Sequence, residues 1–87
     1  MISAWRLGIC TEYGSRVIGY VEDAIKALSA AREALHLAHS LHGLNPPRSS
    51  VVAIEELLES LRKAHTRLWI DLNRWPVVEE EEEVSHA

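Results

Sequence analysis

The chain has 87 residues, a formal net charge of −4 and 25% charged side chains, which is typical of one small globular domain. Its single cysteine, Cys10, excludes an internal disulfide, and with no leader segment recognisable we expect a reducing, cytoplasmic setting. No apolar run approaches the roughly 18–20 residues of a membrane span.

The negative charge is concentrated near the C-terminus. Five of the thirteen acidic residues form the run at 79–83, so residues 1–78 carry nine Lys and Arg against eight Asp and Glu. Acidic runs of this kind are usually solvated. The sequence therefore predicts a nearly neutral body followed by an acidic tail over residues 77–87.

The first fourteen residues give the weakest signal. The stretch SAWRLGIC is compatible with a short strand or with a helical turn. Gly8 and Gly14 argue against one unbroken helix from the start, because glycine is a poor helix former. Thr11 and Ser15 are both candidate N-caps. We therefore treat residues 1–14 as a separate N-terminal segment.

The next segment predicts a long helix over about residues 15–42. Its apolar positions step by four and three, as one face of a helix requires. Gly43 followed by Leu44 is typical of a Schellman ending, and Pro46 prevents continuation. The residues of this first stripe are Val17, Val21, Ala24, Leu28, Ala31, Leu35 and Ala38.

After a turn over residues 43–49, a second helix is predicted over about residues 50–75. Ser49 or Ser50 would cap it, and Pro76 would end it. Two helices joined by so short a turn predict an all-α antiparallel hairpin over residues 15–76. The apolar stripe of the second helix is Ile54, Leu57, Leu58, Leu61, Ala64, Leu68 and Leu72.

The first helix carries a second apolar stripe that one partner helix cannot cover. Its small alanines would let another helix approach closely, so we expect self-association, most simply a dimer of hairpins forming a four-helix bundle. The alternative is that alanine only supplies helix propensity. This second stripe consists of Tyr20, Ala27, Ala30, Ala34, Leu37, Leu41 and Leu44.

Three histidines at a spacing of three, His36, His39 and His42, raise the question of a metal site. They drift around the helix at about 300° per step, so they do not converge on one ion. Glu33 and His36 have the Glu-x-x-His spacing of di-iron bundles, which leaves a metal-binding bundle with Glu and His ligands as an alternative. We expect instead a structural role at a helix end, where the dipole favours cations. In the predicted hairpin, His65 would lie opposite about Leu28.

The sequence contains no Gly-rich phosphate loop, cysteine pair or HExxH motif, so we expect neither an enzyme nor a cofactor. On the second helix, Lys63, Arg67, Ile70 and Arg74 line the face opposite the core stripe. Such a basic ridge is compatible with phosphate binding, which makes a nucleic-acid-binding hairpin the other alternative.

The end of the second helix combines tryptophan, isoleucine and arginine. Tryptophan and arginine are enriched in protein–protein contacts. In the predicted hairpin, Trp69 would lie opposite Ala24 and Trp75 opposite Ile18, and Trp5 could complete an aromatic plug. Since Ile70 points away from the core, we expect a second protein to bind here. The sequence thus predicts a small self-associating adaptor, assembly subunit or inhibitor, whose partner would contact Lys63, Arg67, Trp69, Ile70, Arg74 and Trp75.

Overall fold

In the computed structural model, which describes residues 3–76, the chain forms two helices, α1 (Ala4–His42) and α2 (Arg48–Asn73). No strand occurs among these residues, so the predicted all-α class is confirmed for this part of the chain. The hairpin measures 61 × 24 × 12 Å, which is one helix thick and two helices wide. The predicted acidic tail over residues 77–87 lies outside the described residues.

Helix α1 begins at Ala4, so the predicted start near Ser15 and the separate segment over residues 1–14 are wrong. Ser3 is the N-cap, and its Oγ accepts a hydrogen bond from the Arg6 backbone N–H at 3.1 Å. Gly8 and Gly14 are both helical. Gly14 packs against α2, and that packing offsets its propensity cost of about 1 kcal/mol, whereas the similar cost of Gly8 has no packing contact beside it and is too small to end the helix.

The end of α1 follows the predicted glycine-based pattern. Gly43 adopts a left-handed conformation with φ 65°, and its N–H donates to the His39 carbonyl at 2.9 Å. The Leu44 N–H donates to the Ala38 carbonyl at 3.2 Å. These two bonds satisfy carbonyl groups that the end of a helix otherwise leaves unpaired.

Helix α2 starts and ends two residues before the predicted bounds. Its N-cap is Pro47, without a side-chain hydrogen bond, so the predicted caps Ser49 and Ser50 instead lie within the first turn. At the other end, the Trp75 N–H donates a hydrogen bond to the Leu72 carbonyl at 3.4 Å, in a turn outside the helix. The helix stops early because the residue before a proline disfavours the helical conformation.

The two helices run antiparallel, with a register that differs from the prediction. A Cβ atom placed on Gly14 would lie 3.4 Å from the Cβ of Leu72, and Leu35 borders a groove together with Val51 near the turn. Trp69 consequently lies near Ile18, in one groove with it, and not opposite Ala24.

The same shift of register moves the other predicted cross-hairpin neighbours. With Gly14 against Leu72, His65 lies about opposite Val21, beyond Leu28 toward the open end of the hairpin. Trp75 lies beyond Ile18, in the groove that Thr11 also borders. Part of the difference arises because the turn contains only the five residues 43–47, and the packing of Gly14 against Leu72 sets the rest.

The seam between the helices contains a small core. Among the described residues, the buried hydrophobic side chains are Cys10, 4% exposed, and Leu58, 1% exposed, and Pro76 is also buried. Most other apolar residues of the seam, such as Val21 and Leu28, are only partly covered. Over residues 3–76, neither helix combines the length and the hydropathy that crossing a bilayer requires.

Candidate protein-interaction face

Because the hairpin is one helix thick, it presents two broad faces. Arg32 of α1 borders the same groove as Glu55 and Arg62 of α2, so charged residues from both helices lie on one of these faces. We call this the groove face. Two further grooves, one near the turn and one near the open end, are also lined by its residues.

The opposite side, which we call the apolar face, follows from the helical positions. On α1, Val17 and Ala24 lie on the other side of the seam from Arg32, and on α2, Leu57 and Ala64 lie on the other side from Glu55. Viewed from one end of the hairpin, residue numbers advance clockwise around one helix and anticlockwise around its antiparallel neighbour. These two sets of residues therefore lie on the same face of the hairpin. Its members are Tyr13, Val17, Tyr20, Ala24, Ala27, Ala31, Ala34 and Ala38 of α1, with Ala53, Leu57, Ser60 and Ala64 of α2. On α2 the same spacing continues to Arg67 and Asp71, which form an ion pair with each other near the open end.

Bulky side chains on the apolar face are open to solvent. Tyr20 is 71% exposed and Leu57 is 51% exposed, and Tyr13 and Val17 are also exposed. The α1 members follow one another at alternating steps of four and three, from Tyr13 to Ala38, and none of them is charged. A sustained apolar repeat with this spacing is the pattern by which one helix packs along another.

The residues that we predicted for self-association lie on or beside this face. Ala27 and Ala34 are exposed members of it. Ala30, Leu37 and Leu41 are exposed on the outer edge of α1, next to it.

The sequence prediction missed Tyr13, Val17 and Leu57 as members of the exposed face, and Val17, predicted for the first stripe of α1, is exposed on it. Tyr13 was assigned to a separate N-terminal segment, although its spacing to Val17 and Tyr20 continues the steps of four and three. Leu57 was assigned to the core stripe next to Leu58, and only the packing of the two helices separates the buried leucine from the exposed one.

Three of the residues considered for metal binding, Glu33, His36 and His39, line the groove near the turn. It has a volume of about 590 Å³ and is bordered by Glu33, His36, His39 and Glu55, with Arg32 beside them. His36 also lies 3.4 Å from the Ser40 hydroxyl, measured from its Nε2. Within residues 3–76, no group of three or more His, Cys, Asp or Glu side chains is placed to hold a metal ion.

The predicted partner-binding residues are divided between two surfaces. Trp69 and Trp75 line the groove near the open end, together with Leu72. Ile70 is exposed and is not among the residues that line this groove. The suggested plug is wrong in one respect, because Trp5 is 76% exposed on α1 and does not cover this end.

Two basic residues of the ridge, Lys63 and Arg67, form ion pairs within α2. Lys63 Nζ lies 3.2 Å from the Glu59 carboxylate, and Arg67 Nε lies 3.7 Å from that of Asp71. In each pair the two side chains are mostly exposed and lie one helical turn from each other. Each pair therefore contributes only a few tenths of a kcal/mol. Their acids partly neutralise the ridge, which weakens it as a phosphate-binding surface.

Compared with protein-family models, with curated proteins and with solved structures, the chain gives no significant match in any of the three.

Proposed function

We propose that this chain is a self-associating helical subunit that acts through protein–protein contacts, and that two hairpins join through their apolar faces into a four-helix bundle. The observation that carries the proposal is a contrast within residues 3–76: the seam buries two hydrophobic side chains, Cys10 and Leu58, while a broad face leaves tyrosine and leucine exposed. Apolar surface of this extent on a small domain usually marks a contact.

The size of the core supports the same proposal. A domain of this length depends on a compact core, and a layer one helix thick covers each helix on one side only. A second layer on the apolar face would cover α1 and α2 together. The result would be a two-layer arrangement, which is how helical domains usually bury their apolar stripes.

Charge substitution on the apolar face tests self-association. Ala27 is exposed in the hairpin, so Ala27→Glu leaves the isolated hairpin almost unchanged but places a carboxylate inside the dimer contact. Thr66→Glu is the matched control, because Thr66 is exposed on the groove face. We expect light scattering to show a dimer for the wild type and for Thr66→Glu, and a helical monomer for Ala27→Glu. A folded wild-type monomer at tens of micromolar would reject the proposal.

The outer edge of α2 would remain accessible in such a bundle, and we assign the contact with a second protein to it. Ile70 lies there, with Arg67 at the border with the apolar face and Trp69 at the adjoining groove. Such a contact fits an adaptor, an assembly subunit or an inhibitor, and isoleucine beside arginine and tryptophan supplies its apolar centre.

Substitution at Ile70 tests this second contact. Ile70→Asp should reduce partner capture from the native host while leaving helicity and dimer formation intact. Val52→Asp is the control, because Val52 is also exposed on α2, at the end near the turn. Equal capture by the two variants and the wild type would reject the assignment, and capture of nucleic acid in place of protein would favour the nucleic-acid alternative.

A further inference from the structure

We infer that two copies of this chain pair with α1 antiparallel to α1 of the second copy, around a two-fold axis that passes between Ile25 and Lys26. The inference rests on the proposed function and goes beyond it by fixing the direction and the register of the contact. It follows from the order of large and small side chains along the apolar face.

The α1 part of the apolar face is large at one end and small at the other. Tyr13, Val17 and Tyr20 come first, and the positions that continue the same stripe to residue 38 are all alanine. Close packing along two helices requires a nearly constant distance between their axes. Bulky residues of one helix must therefore face small residues of the other.

An antiparallel pair meets this requirement in one register. With the axis between residues 25 and 26, Tyr20 faces Ala31 of the second copy and Val17 faces Ala34 of the second copy. Tyr13 then faces Ala38 of the second copy. A two-fold axis repeats each of these contacts, so each copy contributes both the large and the small side chain.

A parallel pair would not pack in this way. Tyr20 would meet Tyr20 of the second copy, which pushes the axes apart, while alanine would meet alanine, which requires them to be close. The helices would then touch at the aromatic end and leave a gap along the alanines. Such a gap loses the contacts that make a helix pair stable.

Helix α2 is compatible with the same axis. If the axis passed between Ser60 and Leu61 of α2, Leu57 of one copy would face Ala64 of the other. A large residue would again face a small one. That point can be located from the hairpin itself. Counting about eleven residues along each helix from the contact of Gly14 with Leu72 leads to residues 25–26 on α1 and 60–61 on α2. One axis therefore serves both helices.

The charges beside the stripe are compatible with this pairing. Arg16 and Asp23 border it on the outer side of α1. In the antiparallel register they approach Leu37 and Ala30 of the second copy, both uncharged, so neither of these α1 charges meets a like charge. The pairing also covers Ala30 and Leu37, two exposed residues on the outer edge that the hairpin alone leaves without a contact role.

The size of the contact is sufficient for a stable dimer. The stripe from Tyr13 to Ala38 is about 38 Å long at 1.5 Å per residue. The hairpin is 24 Å wide. A contact as long as the stripe and as wide as the hairpin reaches the roughly 800 Å² per partner of a standard interface.

Cysteine cross-linking tests the direction. Two variants, Tyr20→Cys and Ala31→Cys, are prepared in a Cys10→Ala background, and each is checked for helicity and for dimer formation by light scattering. Residues 20 and 31 are about 16 Å apart along a helix, far beyond the 7 Å or so between Cα atoms that a disulfide spans. We expect mild oxidation to cross-link the two variants when they are mixed, and neither variant alone.

A second pair makes the result independent of any one substitution. Val17→Cys and Ala34→Cys, which replace exposed residues of the same face, should behave in the same way. Cross-linking of Tyr20→Cys or Val17→Cys with itself would establish a parallel pair and overturn the inference while leaving self-association intact. A dimer without cross-links in either mixture would also overturn it, and a wild-type monomer would reject the proposed function itself.

Discussion

The seam between the helices and the apolar face are built from the same residue types but are covered to different degrees. Leu58 lies in the seam and is 1% exposed, whereas its neighbour Leu57 lies on the apolar face and is 51% exposed. Likewise Val21 of the seam is partly covered while Tyr20 beside it is open to solvent. The hairpin thus covers one apolar stripe per helix and leaves the other for a second molecule.

This difference shows how a short chain can carry both a fold and a contact. The seam brings the helices together through a few tightly packed positions, among which Gly14 permits the closest approach. The apolar face adds nothing to the packing of a single hairpin. Its free-energy contribution would appear only on association, so the stability of this protein is expected to depend on its concentration.

The largest effect is expected for the two adjacent leucines. Leu58→Ala removes a fully buried side chain and should lower the free energy of unfolding by about 2–5 kcal/mol. Leu57→Ala should cost less than about 1 kcal/mol in the isolated hairpin, because much of the side chain is already in water. Urea unfolding at low and high protein concentration measures both. If the two substitutions cost the same at low concentration, the distinction between seam and face is wrong.

The second prediction compares two glycines. Gly14→Leu should lower the free energy of unfolding by about 1–3 kcal/mol. An added Cβ atom at this position would lie 3.4 Å from the Leu72 Cβ, so a larger side chain would overlap α2. Gly8→Ala should raise it by about 1 kcal/mol, because no atom lies within 4 Å of an added Cβ and alanine is the better helix former. Thermal unfolding followed by circular dichroism should therefore show shifts of opposite sign.

The smallest effect is expected at a polar atom in the seam. His65 Nε2 is buried and has no hydrogen-bond partner within the hairpin. His65→Leu should raise the free energy of unfolding by about 1 kcal/mol, because it removes an unsatisfied polar atom from between the helices. His36→Leu, at an exposed histidine of α1, is the control and should change little. A loss of stability in His65→Leu would indicate that the imidazole has a favourable contact after all.

The sequence by itself predicted two helices, a glycine-ended α1 and a short turn, because these features depend on local spacing and on the chemistry of Gly43 and Pro46. It also predicted a second apolar stripe on α1, but only Tyr20, Ala27 and Ala34 of that stripe belong to the apolar face, because periodicity along one helix does not fix which side the other helix covers. Its prediction for residues 1–14 was wrong because helix propensity counts Gly14 as a cost without reference to what packs against it, and because the cost of Gly8 is too small to end a helix.

Only the tertiary structure decided which apolar residues are covered. The register of α1 against α2 depends on the length of the turn and on the close approach at Gly14, and neither can be read from the periodicity of one helix. That register places Leu58 in the seam and leaves Leu57 on the face, and it puts Trp69 beside Ile18. Position along a helix fixes the direction of a side chain, but burial depends on what the other helix brings to that direction.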